Sequence, residues 1–423
     1  MSSILAGPKG LSAVQAPVGL GFILVYTLAY FGVWMALLTP PVVSLALRVN
    51  EIDPAHKETA LSWILGLGAV VAMFANPIAG QLSDRTSSRL GMRRPWLVGG
   101  MAVGTAGLYI IATGASVAWI AAGWCIAQLG FNAVLAAIVA VLPDQVPDAQ
   151  RGKVSGALGI CLQVGIVAGV YLTQAVASTF AMFMLPCAIA GALIVLFVLV
   201  LDDKRIRKSE VSRFDLVGFF RNFWIDPRKA PDFAWAFVSR FMLFIGLATL
   251  LTYQVFYLLD QLHYKGEQIP AAMLTSTLVT TATTVVGSFC SGWLSDRVGR
   301  RKVFVCASAF IYACGLAVIG VATDFQGFLW GIAIVGFGQG VYVAVDMALV
   351  TQVLPNKDAD AAKDLGVFNL ASALPQSVAP AIAPIFLAIG AGGDLKNYTA
   401  LFVAAAVFAT LGALSVLPIQ AVK

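Results

Sequence analysis

Two ionisable residues, Arg240 and Asp346, lie inside long apolar stretches of the sequence, where charged side chains are rare. Arg240 follows Pro231 by nine residues, and Asp346 precedes Pro355 by nine residues. If both stretches are helices that have these prolines at the same side of a membrane, each charge lies ~13 Å deep. An unpaired charge at that depth costs at least ~2.5–3.5 kcal/mol, so we expect the two side chains to face each other or a polar cavity.

A carboxylate in such a place can exchange a proton, because burial favours the neutral acid while a neighbouring arginine favours the ionised form. We therefore interpret Asp346 as a proton carrier and Arg240 as its counter-ion. The alternative is a static ion pair that joins two helices. The residues leave open whether the coupling ion is H⁺ or Na⁺, although a single carboxylate beside an arginine is more typical of a proton site.

The elements that must position these residues are helices long enough to cross a membrane. The chain has 423 residues, 59% hydrophobic and 11% charged, with a mean hydropathy of +0.87. Soluble domains carry roughly 25% charged residues, so a large soluble enzyme, a disordered chain and a nucleic-acid-binding module are excluded. A span needs about 20 apolar residues, and a lipid-embedded backbone must satisfy its own hydrogen bonds. Twelve apolar runs predict an all-α membrane protein with twelve transmembrane helices, near residues 18–47, 60–82, 96–114, 117–142, 154–178, 180–201, 232–259, 270–294, 303–322, 326–354, 365–390 and 397–419.

The basic residues indicate the orientation of these spans. Of 27 Lys and Arg residues, 22 fall on the side of the N-terminus, 4 fall in loops on the other side, and Arg240 lies within a span. This asymmetry predicts a multi-pass protein of the plasma (inner) membrane with both termini in the cytoplasm. The net charge of +6 therefore indicates topology and contact with anionic lipid, not with nucleic acid.

The chain also repeats itself. The segment from Gly80 to Arg85 recurs from Gly292 to Arg297, 212 residues later, and the same offset relates Pro143 to Pro355. A repeat of half the chain length predicts two parallel six-helix halves around a midplane cavity, an arrangement typical of secondary transporters. The predicted units are an N-terminal half at 1–201, a cytoplasmic central loop at 202–230 and a C-terminal half at 231–423.

These segments resemble the loop signature of the major facilitator superfamily (MFS), once from Gly80 to Arg94 and again from Gly292 to Arg301. The resemblance covers the whole chain and implies the MFS fold, with two pseudo-symmetric halves. The extended first copy, which runs to Pro95, is similar to the corresponding loop of the sucrose–proton symporters and the glycoside–pentoside–hexuronide cation symporters. Those families imply a sugar moved together with a cation. In helix 4 this sequence departs from the pattern of the sucrose transporters. It has no membrane-buried acid there and has Gln128 and Asn132 instead.

In the superfamily, the acid of the signature loop belongs to a gate that closes the cytoplasmic side. The resemblance extends this role to residues of both copies, and two charged residues after helix 4 extend the network in the first half. The alternative is a set of solvated helix-end charges, each of which stabilises the fold little. The predicted gate residues are Asp84, Arg85, Arg94, Asp144, Arg151, Asp296, Arg297 and Arg301.

Amide and aromatic side chains within the spans are candidates for lining a cavity. Uncharged amides donate and accept hydrogen bonds at once, which suits a ligand rich in hydroxyl groups. The alternatives are hydrogen bonds between helices and aromatic anchors at the membrane interface. The predicted cavity residues are Tyr26, Tyr30, Trp34, Gln128, Asn132, Gln163, Tyr253, Gln254, Tyr257, Gln339, Asn369 and Gln376.

The preferred function is cation-coupled symport of a sugar or similar polyhydroxylated solute by alternating access. The alternative within the superfamily is a drug or metabolite exporter driven by proton antiport. Antiporters carry a Gly-Pro motif in helix 5, and here Gly169 is followed by Val170. A membrane sensor would need an appended signalling domain, and an enzyme would need a nucleophile–base pair or metal ligands in the spans. We expect no enzymatic activity, cofactor or bound metal, and a monomer whose partners are the solute, the coupling cation and membrane lipid.

Overall fold

The computed structural model describes residues 17–205, 227–298, 301–353, 361–390 and 396–420. Every regular element in these ranges is helical. The twelve helices, numbered in chain order, are α1 (Leu20–Ile52), α2 (Lys57–Asp84), α3 (Arg94–Thr113), α4 (Val117–Gln145), α5 (Asp148–Ala175), α6 (Thr179–Val200), α7 (Pro231–Asp260), α8 (Ile269–Val298), α9 (Arg301–Val321), α10 (Phe325–Val353), α11 (two segments, Ala361–Ala373 and Pro375–Leu387) and α12 (Tyr398–Leu414).

Within the described ranges, each predicted span coincides with one of these helices. Among the described residues, eleven helices are long and apolar enough to cross a membrane, and α12 is a shorter apolar helix. Several helices continue beyond their apolar run; α2, for example, begins at Lys57 and ends at Asp84. Polar helix ends are stable outside the hydrocarbon because their backbone groups still form helical hydrogen bonds.

Proline residues interrupt two helices. In α1, the pair Pro40–Pro41 opens a five-residue π-helical turn, Pro40–Ser44. In α11, the prediction was one continuous span, whereas the structure has two segments that meet at Leu374 and Pro375. Proline has no backbone N–H and crowds the preceding turn, so one bond of the helical ladder is missing at each of these positions.

Close pairs of glycines repeat in the two halves. A Cβ atom on Gly107 of α3 would lie 2.6 Å from the carbonyl oxygen of Gly123 in α4, too close for any side chain. The same arrangement joins α9 to α10, where a Cβ on Gly315 would lie 2.9 Å from the carbonyl oxygen of Gly331. Both pairs let two backbones touch, as is common between membrane helices. The second pair follows the first by 208 residues, so the repeat includes helix packing as well as the loop signature.

The outer surface of the bundle is apolar. Large hydrophobic side chains such as Leu199, Phe289 and Trp63 are 75%, 78% and 68% exposed. A soluble protein rarely has so much apolar surface, whereas lipid tails solvate it without cost. The fold is thus that of a multi-pass membrane protein.

The two ends of the helical bundle are distinguished by the loops that they contain. We call the end that contains loop 85–93 and segments 201–205 and 227–230 the basic end. The end that contains loops 53–56 and 261–268 is the opposite end. The predicted central loop lies mostly at 206–226, outside the described residues.

Candidate functional site

The site begins with the two charged residues in the spans, which the structure brings into contact. Arg240 of α7 donates through Nη1 to Oδ2 of Asp346 in α10, at 2.9 Å. The side chains are only 14% and 11% exposed. A pair with so little access to water interacts strongly, and the removal of one partner leaves the other with an uncompensated charge.

The other contacts of Arg240 come from α7 itself and from α11. Its Nε donates to Oγ of Ser372 at 2.6 Å. Its guanidinium also lies over the rings of Phe368 and Phe244, 4.9 Å and 5.4 Å from their centroids. Aromatic faces attract a desolvated cation. The arginine therefore has favourable contacts that do not depend on the charge of the carboxylate.

In the signature loop, the central arginine is Arg93, whereas the sequence prediction named Arg94. Arg93 contacts Oδ1 of Asp84 at 2.6 Å and Oδ2 of Asp144 at 3.0 Å. It also donates to Oγ of Ser83 at 2.8 Å and is only 5% exposed. This side chain therefore joins the end of α2 to the end of α4.

Arg94 points elsewhere because it is the first residue of α3 rather than the residue before it. Its Nη2 donates to the backbone carbonyl of Leu201, after α6. The carboxylate of Asp203 accepts the backbone N–H groups of Arg93 and Arg94 at 2.6 Å and 2.8 Å, so an anion caps the N-terminus of α3. Gly91 permits this arrangement, since its φ is +110° and a Cβ there would overlap Asp203.

The other predicted gate residues make more local contacts. Arg85 donates to the carbonyl of Gln81 at 2.8 Å. Arg151 contacts Asp148 and the carbonyls of Val146 and Pro143, and so it does not pair with Asp144. In the second copy, the guanidinium of Arg297 lies 4.7 Å from the ring centroid of Trp293, and Arg301 is half-buried. The side chain of Asp296 lies outside what the structure describes.

Two of the predicted cavity tyrosines form their hydrogen bonds within their own half of the protein. Tyr26 donates to the carbonyl of Ile138 at 2.8 Å and stacks on Phe197. The hydroxyl of Tyr257 lies 2.8 Å and 2.7 Å from the carbonyls of Ile319 and Ala322. A buried hydroxyl must find a hydrogen-bond partner, and both have found one in a neighbouring helix. Neither side chain is exposed, which corrects their assignment to a cavity wall.

The paired amides on α4 lie on one face, as their spacing predicts. Nδ2 of Asn132 donates both to the backbone carbonyl of Gln128, at 2.8 Å, and to its Oε1, at 2.9 Å. The aromatic rings of Tyr30 and Trp34 meet edge to face at 6.0 Å, and both are half-buried.

The remaining predicted cavity residues differ in exposure. Tyr253 is buried and contacts Oγ of Ser62 in the other half at 2.5 Å. The other five amides show no common site: Gln254 is buried, Gln163 and Gln339 are half-buried, and Asn369 and Gln376 are exposed.

The opposite end contains a cluster of polar contacts between the halves that the sequence analysis did not find. Nζ of Lys57 lies 2.5 Å from Oδ1 of Asp260. The hydroxyl of Tyr398 lies 2.6 Å from Oδ2 of Asp260 and 3.2 Å from Oε1 of Glu58. We call these four residues the seam cluster. In the sequence they resemble ordinary helix-end residues, and no local pattern relates positions that are 138 to 340 residues apart.

A further contact between the halves lies deeper. Oγ of Ser377, in the second segment of α11, donates to the carbonyl of Gly66 in α2 at 3.1 Å. This segment is thus attached to the N-terminal half, although it belongs to the C-terminal half.

The apolar outer surface and the apolar helices define a polytopic membrane protein, and it holds an ion pair within its spans. Residues 22–380 match the sequence profile of the Major Facilitator Superfamily, and residues 271–422 match it a second time. The chain therefore belongs to the Major Facilitator Superfamily, as the loop signature predicted.

Several known transporters are similar to parts of the chain. The probable plastidic glucose transporter 3 of Arabidopsis thaliana is 34% identical over 94 residues, 22% of this chain and 18% of the relative. The minor myo-inositol transporter IolF of Bacillus subtilis (strain 168) is 29% identical over 107 residues, 25% of this chain and 23% of the relative. The aligned segments therefore span less than a quarter of each relative.

Solved structures resemble the whole chain. The nucleoside transporter NupG has a TM-score of 0.71 at 13% identity, covering 95% of this chain and 99% of that one. The peptide transporter POT in complex with sulfate has a TM-score of 0.73 at 15% identity, covering 96% of both chains. A bacterial homologue of the lysosomal transporter Spinster has a TM-score of 0.69 at 14% identity, covering 95% and 98%. At these identities, the likeness establishes the fold alone.

Proposed function

We propose that this protein carries a sugar, a cyclitol or a similar polyhydroxylated solute across the plasma membrane together with a proton. Asp346 carries the proton, and Arg240 is its counter-ion. The observation on which this proposal depends is the contact of 2.9 Å between the two side chains within membrane-spanning helices. Ionisable groups at such positions are costly, and they commonly serve ion pathways.

The electrostatics of the pair favour a cycle of proton binding and release. With Arg240 against it, the carboxylate is stable in the ionised form. When the solute or a helix movement weakens this contact, burial favours the neutral acid, and the carboxylate takes a proton from the side that is open. The rings of Phe244 and Phe368 stabilise the cation of Arg240 while the carboxylate is neutral.

The similarity to glucose and myo-inositol transporters supports a polyhydroxylated solute, although each match covers a short segment. The amide pair Gln128 and Asn132 on α4 and the half-buried rings of Tyr30 and Trp34 suit such a ligand chemically.

Alternating access in this proposal is a rocking of residues 1–201 against residues 231–423. The basic end faces the cytoplasm, together with both termini, because positive residues are retained there. The contacts of Arg93 with Asp84 and Asp144 make the basic end of the N-terminal half a single unit. The seam cluster holds the opposite, external end closed when the basic end opens.

The test uses the purified protein in proteoliposomes with a pH-sensitive dye inside. We expect that external myo-inositol or glucose acidifies the interior, since symport carries protons inward with the solute. Alkalinisation of the interior would indicate antiport, and no response to any sugar or cyclitol would contradict the proposed substrate class.

Replacement of the carboxylate separates coupling from transport. Asp346→Asn should abolish proton movement while exchange of labelled solute across the membrane continues. The control is Asp324→Asn, the same chemical change beside the other end of α10, where an asparagine can still accept the N–H of Gly327. Solute-driven proton movement that persists in Asp346→Asn would reject Asp346 as the carrier.

A further inference from the structure

Ser372 occupies a position between the ion pair and the interruption of α11. It accepts a hydrogen bond from Nε of Arg240 at 2.6 Å, while Nη1 of the same guanidinium contacts Asp346. Ser372 lies two residues before Leu374, at which the first segment of α11 gives way to the second. Arg240, whose charge neutralises that of Asp346, is therefore hydrogen-bonded to a residue two positions before the junction.

Both segments of α11 pack on α7, but their polar contacts differ. The first segment packs on α7, where the ring of Phe368 lies under Arg240 and 5.6 Å from that of Phe233. The second is bonded to α2 of the other half through Ser377 and the carbonyl of Gly66. A movement of one segment relative to the other therefore changes how the two halves are joined.

The junction itself is weakly held. Pro375 has no N–H to donate to the carbonyl of Ala371, and Pro380 and Pro384 each remove another donor from the second segment. Helix bends concentrate where such bonds are missing, so the junction is the place at which α11 bends most readily.

We propose that Ser372 is the positioning residue that transmits the charge state of Asp346 to the junction of α11 and from there to the contact between the halves. This inference rests on the proposed proton-carrying role of Asp346. When the carboxylate accepts a proton from solution, the charge that holds Nη1 disappears. The guanidinium then shifts toward the rings of Phe244 and Phe368, and its bond from Nε takes Ser372 and the first segment along.

Hydrogen–deuterium exchange tests this without knowledge of the solute. The full-length protein in lipid nanodiscs is compared with Asp346→Asn, which imitates the neutral acid. We expect amide exchange in peptides covering 370–380 to change by roughly tenfold, the effect of one hydrogen bond to a charged group. In the Ser372→Ala background, Asp346→Asn should produce no further change.

Two variants distinguish transmission from a structural effect. Ser372→Thr keeps the hydroxyl and should restore the response to Asp346→Asn. Ser372→Cys keeps the volume with a much weaker acceptor, and it should lose the response even if Ser372→Ala folds poorly. The control Ser308→Ala removes a buried hydroxyl on α9 that bonds its own helix, and it should leave the response intact.

The possible outcomes separate this inference from the proposed function. An equal response of 370–380 to Asp346→Asn with and without the serine hydroxyl would overturn the role of Ser372, as would no response in any background. Neither result affects the dye assay, which tests symport and Asp346 directly.

Discussion

Arg240 and Asp346 differ in how each can respond to the loss of its partner. A buried carboxylate can take up a proton and become neutral, whereas a guanidinium cannot lose its proton in a protein. The two single substitutions are therefore unequal, although they break the same contact of 2.9 Å.

We expect Asp346→Asn to lower thermal stability more than Arg240→Gln does. The loss in Asp346→Asn should approach the ~3–5 kcal/mol known for a broken buried pair, reduced by the rings beside Arg240. The double variant should recover most of this loss because it contains no charge. Melting of the four proteins in detergent measures this, and equal melting temperatures for the two single variants would contradict it.

Gly91 allows a second prediction about a single residue. Its φ of +110° and the nearby carboxylate of Asp203 leave no room for a side chain. Gly91→Ala should cost about 1–2 kcal/mol from the backbone conformation, with a further cost as Asp203 is displaced. Thermal melting against Gly99→Ala, where open space surrounds the glycine, provides the comparison. Equal stability of the two variants would exclude the strained turn.

The sequence was informative about the residues whose positions are unusual and uninformative about those whose contacts depend on the fold. A charge in an apolar span is visible directly, so Arg240 and Asp346 could be found. The choice between Arg93 and Arg94 depends on a rotation of about 100° around the start of α3, which no motif reveals. Asp260 and Tyr398 of the seam cluster are polar residues at the ends of helices, and nothing in the sequence around them indicates that they contact each other.

Among the helices, the close glycine pairs make a prediction that the repeat allows to be tested twice. Gly107→Leu in α3 and Gly315→Leu in α9 should each separate a helix pair and cost roughly 1–3 kcal/mol or more. Gly99→Leu is the matched control, since it lies on α3 with nothing within 4 Å. Thermal melting compares the stability of the three variants. A loss of stability in only one of Gly107→Leu and Gly315→Leu would argue against equivalent packing in the two halves.

The number, order and approximate bounds of the helices were predictable because a lipid environment demands long apolar runs. The interruption of α11 was not, although Pro375, Pro380 and Pro384 indicated a weak helix. Proline reveals where a ladder of hydrogen bonds is weakened, and only the packing against α7 and α2 determines whether the helix divides there.

For the molecule as a whole, the seam cluster predicts how the halves separate. Lys57 is only 10% exposed and Asp260 is 32% exposed, so removal of one partner leaves the other charge partly desolvated and unpaired. Lys57→Gln should therefore open the opposite end. Spin labels at the exposed residues Ala55 and Gln268, one in each half, should report a longer distance in a cysteine-depleted background.

The control for this distance is Glu51→Gln, since Glu51 contacts Arg48 and Thr179 within the N-terminal half alone. It should leave the label distance unchanged. If Lys57→Gln does so as well, the seam cluster does not hold the halves together.

The proposed cycle places a proton on Asp346, and infrared difference spectroscopy detects such a proton directly. A pH change or addition of myo-inositol to the protein in lipid should produce the C=O band of a protonated carboxyl group. We predict that this band is present in the unaltered protein and in Asp324→Asn, and lost in Asp346→Asn. An identical band in Asp346→Asn would place the proton on another residue and contradict the account.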